Sequence, residues 1–184
     1  LFVKNLVMPE VKPWTPMFIP EQTLAVRQLL LDEAEKRGVI SPYGNKIFIS
    51  RKGAARKRFH DEELAEKVLG ELGFNAVAME NCSFFEQIAL MKKAKFLFAI
   101  TGAGTINTMF MQEKGHLFDV PHKDYITKDQ YKFHFYKLCN ILHIDYSAVF
   151  LDSVNDPEVD HYSKQNLIFD IQYISEYLQK HLKH

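Results

Sequence analysis

The sequence is short of cysteine. Two residues, Cys82 and Cys139, stand in 184 positions, too few for a disulfide framework and without metal-ligand spacing, so a reducing compartment is the simplest expectation. Eight histidines, at 60, 116, 122, 134, 143, 161, 181 and 184, include no His-x-x-x-His pair, and no metal site is expected. No apolar run approaches the roughly 20 residues of a membrane span. There is no excess of either charge: 23 basic residues balance 23 acidic ones, which argues against a bulk nucleic-acid or polyanion binder. Walker, Gly-x-Ser-x-Gly and Gly-x-Gly-x-x-Gly sequences are all missing, the last counting against an NAD enzyme. Internal repeats, low-complexity tracts and a signal peptide are also missing. The chain opens at Leu1 rather than Met, which is compatible with a fragment whose missing N-terminal region holds a targeting segment or another domain.

What is present is organised around Lys95 to Asn107. Phe96 to Ile100 is a nearly all-apolar run, the pattern of a strand covered on both faces. Gly102 and Gly104 follow, permitting a sharp turn and close approach of a ligand. Thr105 is suited to cap the helix expected next. Free N–H groups at a helix start attract anions, phosphate above all, so the stretch reads either as the seat of a phosphate-bearing ligand over Gly102, Ala103, Gly104 and Thr105, or as a plain tight turn.

Leu1–Pro20 carries four prolines around Trp14 and is expected to be an extended surface segment. Helices are expected over Glu21–Arg37, with Leu24 and Leu31 on an apolar stripe and Gly38 as C-cap, and over Asp61–Leu72, closed by Gly73. Ser83 and Glu86 fit a capping box opening a helix that ends near Ala94. Further helices are expected at Thr105–Met111, Tyr131–Leu142 and Ser163–Leu182, the last with Leu167, Ile171, Ile174 and Leu178 on one face. Strands are expected at Lys46–Ser50, Ala76–Met79, Phe96–Ile100, Leu117–Val120 and Asp145–Phe150. This alternation predicts one α/β domain: a Rossmann-like parallel sheet of about five strands with helices on both faces.

In such sheets ligands sit beyond the C-terminal strand edges. Three polar clusters lie there. Ser50–Arg58 includes Arg51-Lys52-Gly53-Ala54-Ala55-Arg56-Lys57-Arg58, five basic residues in eight. Arg51, directly after a strand, is placed to grip a phosphate bidentately, and Arg58 flanks the other end of the loop. His60 is the one histidine to watch as an acid or base. In Glu80–Gln87, both Glu80 and Glu86 suit hydrogen bonds from ribose hydroxyls, while Glu86 equally suits the capping box. In the third cluster, Asn107 holds its loop or touches the ligand.

With these clusters in view, the ordered set Ile49-Ser50-Arg51, Arg58-Phe59-His60-Asp61-Glu62-Glu63, Gly73-Phe74, Ser83-Phe84-Phe85-Glu86-Gln87-Ile88 and Gly102-Ala103-Gly104-Thr105-Ile106-Asn107 resembles the glycosyltransferase family 61 domain, also called capsular polysaccharide biosynthesis protein, over roughly Leu6 to Phe150. The resemblance implies a sugar transferase of two Rossmann-like lobes (GT-B-like), with residues 21–184 expected as the C-terminal, nucleotide-sugar-binding lobe and Leu1–Pro20 as remnant of, or linker to, a missing N-terminal lobe. It matches Arg51 and Arg58 to the family's basic positions, Glu86 and Gln87 to its Glu-Gln pair, and Gly102, Ala103, Gly104 and Asn107 to its Gly-Ala-Gly-x-x-Asn turn. With Thr105 and Glu80 added from their own positions, donor or phosphate binding is expected at Arg51, Arg58, Gly102, Ala103, Gly104, Thr105 and Asn107, and nucleoside binding at Glu80, Glu86 and Gln87. The implied substrates are a nucleotide-sugar and a carbohydrate acceptor, with no metal, no cofactor and no nucleic acid. The implied location is the cytoplasm, at the inner face of the membrane or in a polysaccharide assembly complex. Two positions depart from the family: Thr101 stands where it usually has His, and Asp61 where it usually has Asn. No residue is a convincing general base. A non-catalytic interaction domain of the same fold, or a small α/β enzyme acting on another phosphorylated metabolite, are the other expectations.

Overall fold

A computed structural model describes residues 18–55, 58–123, 134–159, 161 and 164–182. The expectations for Trp14 and most of the proline-rich segment fall outside these residues, as do those for Arg56, Lys57, the first turn of the expected 131–142 helix and Ser163. The described elements are α1 (Pro20–Lys36), β1 (Lys46–Ile49), α2 (Glu62–Glu71), β2 (Asn75–Val77), α3 (Phe84–Lys93), β3 (Phe96–Ile100), β4 (His116–Val120), α4 (His134–Ile141), β5 (Asp145–Ala148) and α5 (Ile171–His181). Tight 3-10 helices span Met79–Asn81 and Ala103–Phe110.

The strands form one sheet in the order β2-β1-β3-β4-β5, every pairing parallel. This is a doubly wound, Rossmann-like α/β arrangement, as the alternation of elements implied. All five residues of β3 are buried, which is why its sequence is apolar without alternation. Register fixes the functional edge. Ile49 lies opposite Ala99, Ala99 opposite Asp119 and Asp119 opposite Ala148, so the loops after these strands leave one side of the sheet together. The chain turns one way from β1 towards β2 and the other way from β3 towards β4. The crevice of such a sheet therefore lies between the ends of β1 and β3.

Side chains alternate between the two faces of the sheet. Ile47, Ile49, Leu97, Ala99 and Leu117 pack with α1, α3 and α4 through residues such as Leu31, Met91 and Leu138. Phe48, Phe98 and Phe118 point to the other face, against Ala65 and Leu69 of α2 and Ile174 and Leu178 of α5. That second face is aromatic: the Phe98 ring lies 6.0 Å from Phe48, 6.3 Å from Phe59 and 6.4 Å from Phe74. Gly38 and Gly73 take positive φ just after α1 and α2, the expected C-caps.

Several expectations are corrected. The last helix starts at Ile171, not near 163, because Asp170 caps it by accepting the Tyr173 N–H at 2.9 Å. Leu167 instead pairs as an isolated bridge with Phe59 and Ser153, and Ile171 is exposed while Ile174 and Leu178 are buried. In α1, Leu24 is exposed and only Leu31 of the expected pair is buried. β5 stops at Ala148, short of Phe150, and β2 runs Asn75–Val77, starting one residue before and ending two before the expected span.

Candidate functional site

The loop after β1 is tied down at both ends. Ser50 N–H donates to the Val77 carbonyl at 3.0 Å, continuing the pairing with β2 for one residue, and Ala54 N–H closes a turn onto the Arg51 carbonyl at 2.8 Å. Asp61 caps α2 by accepting the Leu64 N–H at 2.9 Å. The next residue, Glu62, is only 2% exposed. Its Oε1 accepts the Arg51 N–H at 2.7 Å and the Ser50 hydroxyl at 3.3 Å, and its Oε2 accepts the Phe59 N–H at 2.9 Å. Burial pushes the Glu62 carboxyl above its ordinary range, against the opposing pull of these hydrogen bonds. Asp61, Glu62 and Glu63 together suit the positive end of a helix, and nothing in that run marks Glu62 for this bond set. Two of its bonds reach back 11 and 12 residues, to Arg51 and Ser50, beyond what local sequence signals.

At the end of β3, Gly102 is extended (φ 178°) and faces the Arg51 side chain. A Cβ added to Gly102 would lie 3.1 Å from Arg51 Nη1. Glycine here makes room for a guanidinium, a reason the sequence could not give. Thr105 is buried. Its Oγ1 accepts the Gly102 N–H at 3.2 Å and donates to the Ile100 carbonyl at 3.4 Å, while its own N–H bonds the Gly102 carbonyl at 3.1 Å. The helix therefore begins at Ala103 and is 3-10 in type, which corrects the expectation that Thr105 is its cap and first residue. The N–H groups of Ala103 and Gly104 precede its first i→i+3 bond and have no carbonyl within the helix. A Cβ on Gly104 would meet only the Ile49 methyls, at 3.4 Å and 3.6 Å.

The remaining residues singled out from sequence fall in different places. Asn107 is buried and donates to Gln87 Oε1 at 3.1 Å; Gln87 Nε2 donates in turn to the carbonyls of Met79 (3.0 Å) and Cys82 (3.1 Å). Glu86 completes the capping box with Ser83, whose side chain and backbone hold its carboxyl below its ordinary range. Arg58 is fixed by its backbone, its N–H to Asn166 Oδ1 at 3.3 Å and its carbonyl to the Leu167 N–H at 2.9 Å. With His60 it lines two clefts, one of about 440 Å³ shared with Lys52 and Glu63 and one of about 560 Å³ shared with Asp156 and Lys164. Glu80 lies across from Gly53, whose added Cβ would be 3.2 Å from Glu80 Oε1. It lines a third cleft, of about 700 Å³, with Tyr43, Ser50 and Lys52. Thr101 donates to Asp119 Oδ1 at 2.7 Å, and Tyr146 to Asp119 Oδ2 at 2.9 Å.

The structure thus brings Arg51 to the glycine turn and leaves Arg58 with His60, and Glu80, in flanking clefts. The Nε atoms of Arg51 and Arg58 are buried without a hydrogen-bond partner among the described residues. Such donors are costly to leave unmet, and a water molecule or a ligand can supply the acceptor. Among the described residues no three His, Cys, Asp or Glu side chains cluster as metal ligands, and no helix is long and apolar enough to cross a membrane.

A parallel, doubly wound sheet with an arginine and a glycine-led helix start at its switch point belongs to the Rossmann-like α/β proteins, which bind ligands at that crevice. The family model described as glycosyltransferase 61 matches residues 1–118, from the start of the chain into β4. That is more than half of the chain, and the chain belongs to this family of glycosyltransferases. The match stops short of the Phe150 to which the sequence motifs were extended. No curated protein matches the chain.

Proposed function

We propose that the protein is the donor-binding part of an inverting, metal-independent glycosyltransferase. In this reading it takes a sugar from a nucleotide-sugar and delivers it to the growing carbohydrate of a bacterial surface or capsular polysaccharide, in the cytoplasm at the inner face of the membrane. The observation that carries this reading is the Arg51 guanidinium beside Gly102, with its Nε buried and without a partner among the described residues at the β1–β3 crevice. A nucleoside diphosphate offers acceptor oxygens to this arginine and to the Ala103 and Gly104 N–H groups. During transfer the acceptor hydroxyl oxygen bonds to the anomeric carbon, the bond from that carbon to the diphosphate breaks, and the hydroxyl proton passes to a base. Charge builds on the departing diphosphate, where Arg51 and the helix start would stabilise it. Glu80, at the mouth of the neighbouring cleft, suits the ribose hydroxyls.

Calorimetric titration with UDP-, GDP- and CMP-sugars tests this. One nucleotide should bind, and Arg51→Ala should weaken it by about 10- to 100-fold, the loss of a charge-assisted hydrogen bond. Absence of binding by all three, or binding indifferent to Arg51→Ala, would remove the proposal. A second reading, a non-catalytic domain of the same fold, draws on Thr101: it replaces the family's usual His and spends its hydroxyl on Asp119. Nucleotide binding with no transfer by the protein joined to a complete second lobe would favour that reading.

A further inference from the structure

We infer that Glu62 is a positioning residue: its buried carboxylate closes the basic loop at both ends and so presents the Arg51 guanidinium to the ligand at Gly102. The inference rests on the reading of Arg51 as a donor-binding group. Arg51 and Phe59 are eight positions apart, yet both direct their N–H groups onto the two oxygens of one side chain, at 2.7 Å and 2.9 Å. Ser50, at the start of the loop, directs its one hydroxyl proton between Glu66 Oε1 at 2.7 Å and, more weakly, Glu62 Oε1 at 3.3 Å. Phe59 itself is fully buried in the aromatic face of the sheet, so the far end of the loop is anchored to the core. Glu62 opens α2, which fixes the carboxylate relative to the sheet.

Arg51 and Lys52 open a stretch with five basic residues in eight, and like charges close together repel. A buried anion that accepts backbone N–H groups opposes this without occupying any guanidinium. That separates its role from a salt bridge: Glu62 bonds the backbone of Arg51 and leaves the side chain free for an anion. Lys52 shows the other arrangement, with its ammonium on Glu63 at 3.0 Å. An uncharged amide at position 62 offers one acceptor and one donor. One of the two N–H groups would then face another N–H, and one end of the loop would be released.

The test uses the full chain in three forms: unaltered, Glu62→Gln and Arg51→Ala, together with the double variant. In the unaltered protein without ligand, the Arg51 Nε–H signal in ¹⁵N NMR should be single and protected from exchange. In Glu62→Gln it should broaden or exchange freely, with the amide signals of the central strands unchanged. Free exchange of Arg51 Nε–H in the unaltered protein, or its persistence unchanged in Glu62→Gln, would overturn the inference whether or not nucleotides bind. The second arm measures affinity for UDP, GDP and CMP. Glu62→Gln should weaken the nucleotide that binds by about tenfold and add no further loss in the Arg51→Ala background, because it acts through Arg51. Additive losses would mean a role independent of Arg51 and overturn the inference. If none of the three nucleotides binds, the donor-binding proposal fails, and the NMR arm alone decides whether Glu62 orders Arg51.

Discussion

Replacing Gly102 by alanine should damage the site and spare the fold. The backbone at Gly102 is extended, with φ 178° and ψ −169°, so an L side chain incurs no left-handed strain. The N–H that bonds Thr105 Oγ1 is kept. The new methyl would lie 3.1 Å from Arg51 Nη1 and 3.6 Å from the Ile100 carbonyl. Only the first contact is tight, and the atom concerned is the far end of a flexible side chain, which can yield by a few tenths of an ångström. Stability should therefore change by no more than about 1 kcal/mol, since the lost freedom of the unfolded chain favours alanine at a compatible position. Affinity should suffer more. A charge-assisted hydrogen bond is worth about 1.5–3 kcal/mol and depends steeply on distance and direction, so a displaced guanidinium predicts roughly 10- to 100-fold weaker nucleotide binding. Urea denaturation and calorimetric titration on the same preparation measure both quantities. Gly104→Ala is the control: its methyl meets Ile49 at an ordinary 3.4 Å and does not touch Arg51. If Gly102→Ala unfolds the protein, or if it binds nucleotide as well as the unaltered chain does, the geometric reasoning about Arg51 is wrong.

Other predictions concern the fold. Burial lowers the His116 pKa from 6.5 to about 4 despite the opposing pull of Asp145, so the folded state holds this ring neutral, stacked on Phe118 at 4.1 Å. The unfolded chain then binds the extra proton between pH 6.5 and 4, and stability falls across that window by at most about 3 kcal/mol; denaturation at a series of pH values should show a slope there that His116→Gln reduces. Phe98→Ala removes the hub of the aromatic face and should cost about 3–5 kcal/mol by urea denaturation. Burial pushes the Cys139 thiol up to about 12 and also raises that of Cys82, where Glu86 and Glu80 add to it. Alkylation of the native protein at pH 8 followed by mass spectrometry should therefore leave Cys139 untouched and modify Cys82 slowly. Gly115→Ala would place its Cβ 2.9 Å from the carbonyl oxygens of Gln112 and Lys95, backbone atoms that cannot step aside, and should lower the melting temperature clearly more than Gly104→Ala does.

The sequence by itself determined the local and periodic features of this protein. Phe96–Ile100 had to be a doubly covered strand because no polar residue interrupts it. Ser83 and Glu86 had to form a capping box because both groups lie within one helical turn. The alternation of strands and helices required a parallel sheet, and strand ends named the edge where Arg51 and Gly102 would lie. Other features depended on contacts between segments far apart in the chain. Leu167 fits a helical apolar stripe, yet it pairs with Phe59, 108 positions earlier, and only the packed sheet offers that partner. Arg51 meets Gly102 rather than Arg58 because the strand order sets β1 beside β3. Glu62 looks like one acid among three until folding buries it under the loop it closes. Local propensity acts within a turn of helix or a run of strand, and so it can be read along the chain. Which buried donor meets which acceptor is decided by the packing of the sheet, because a donor and an acceptor shut away from water must find each other wherever the chain has carried them.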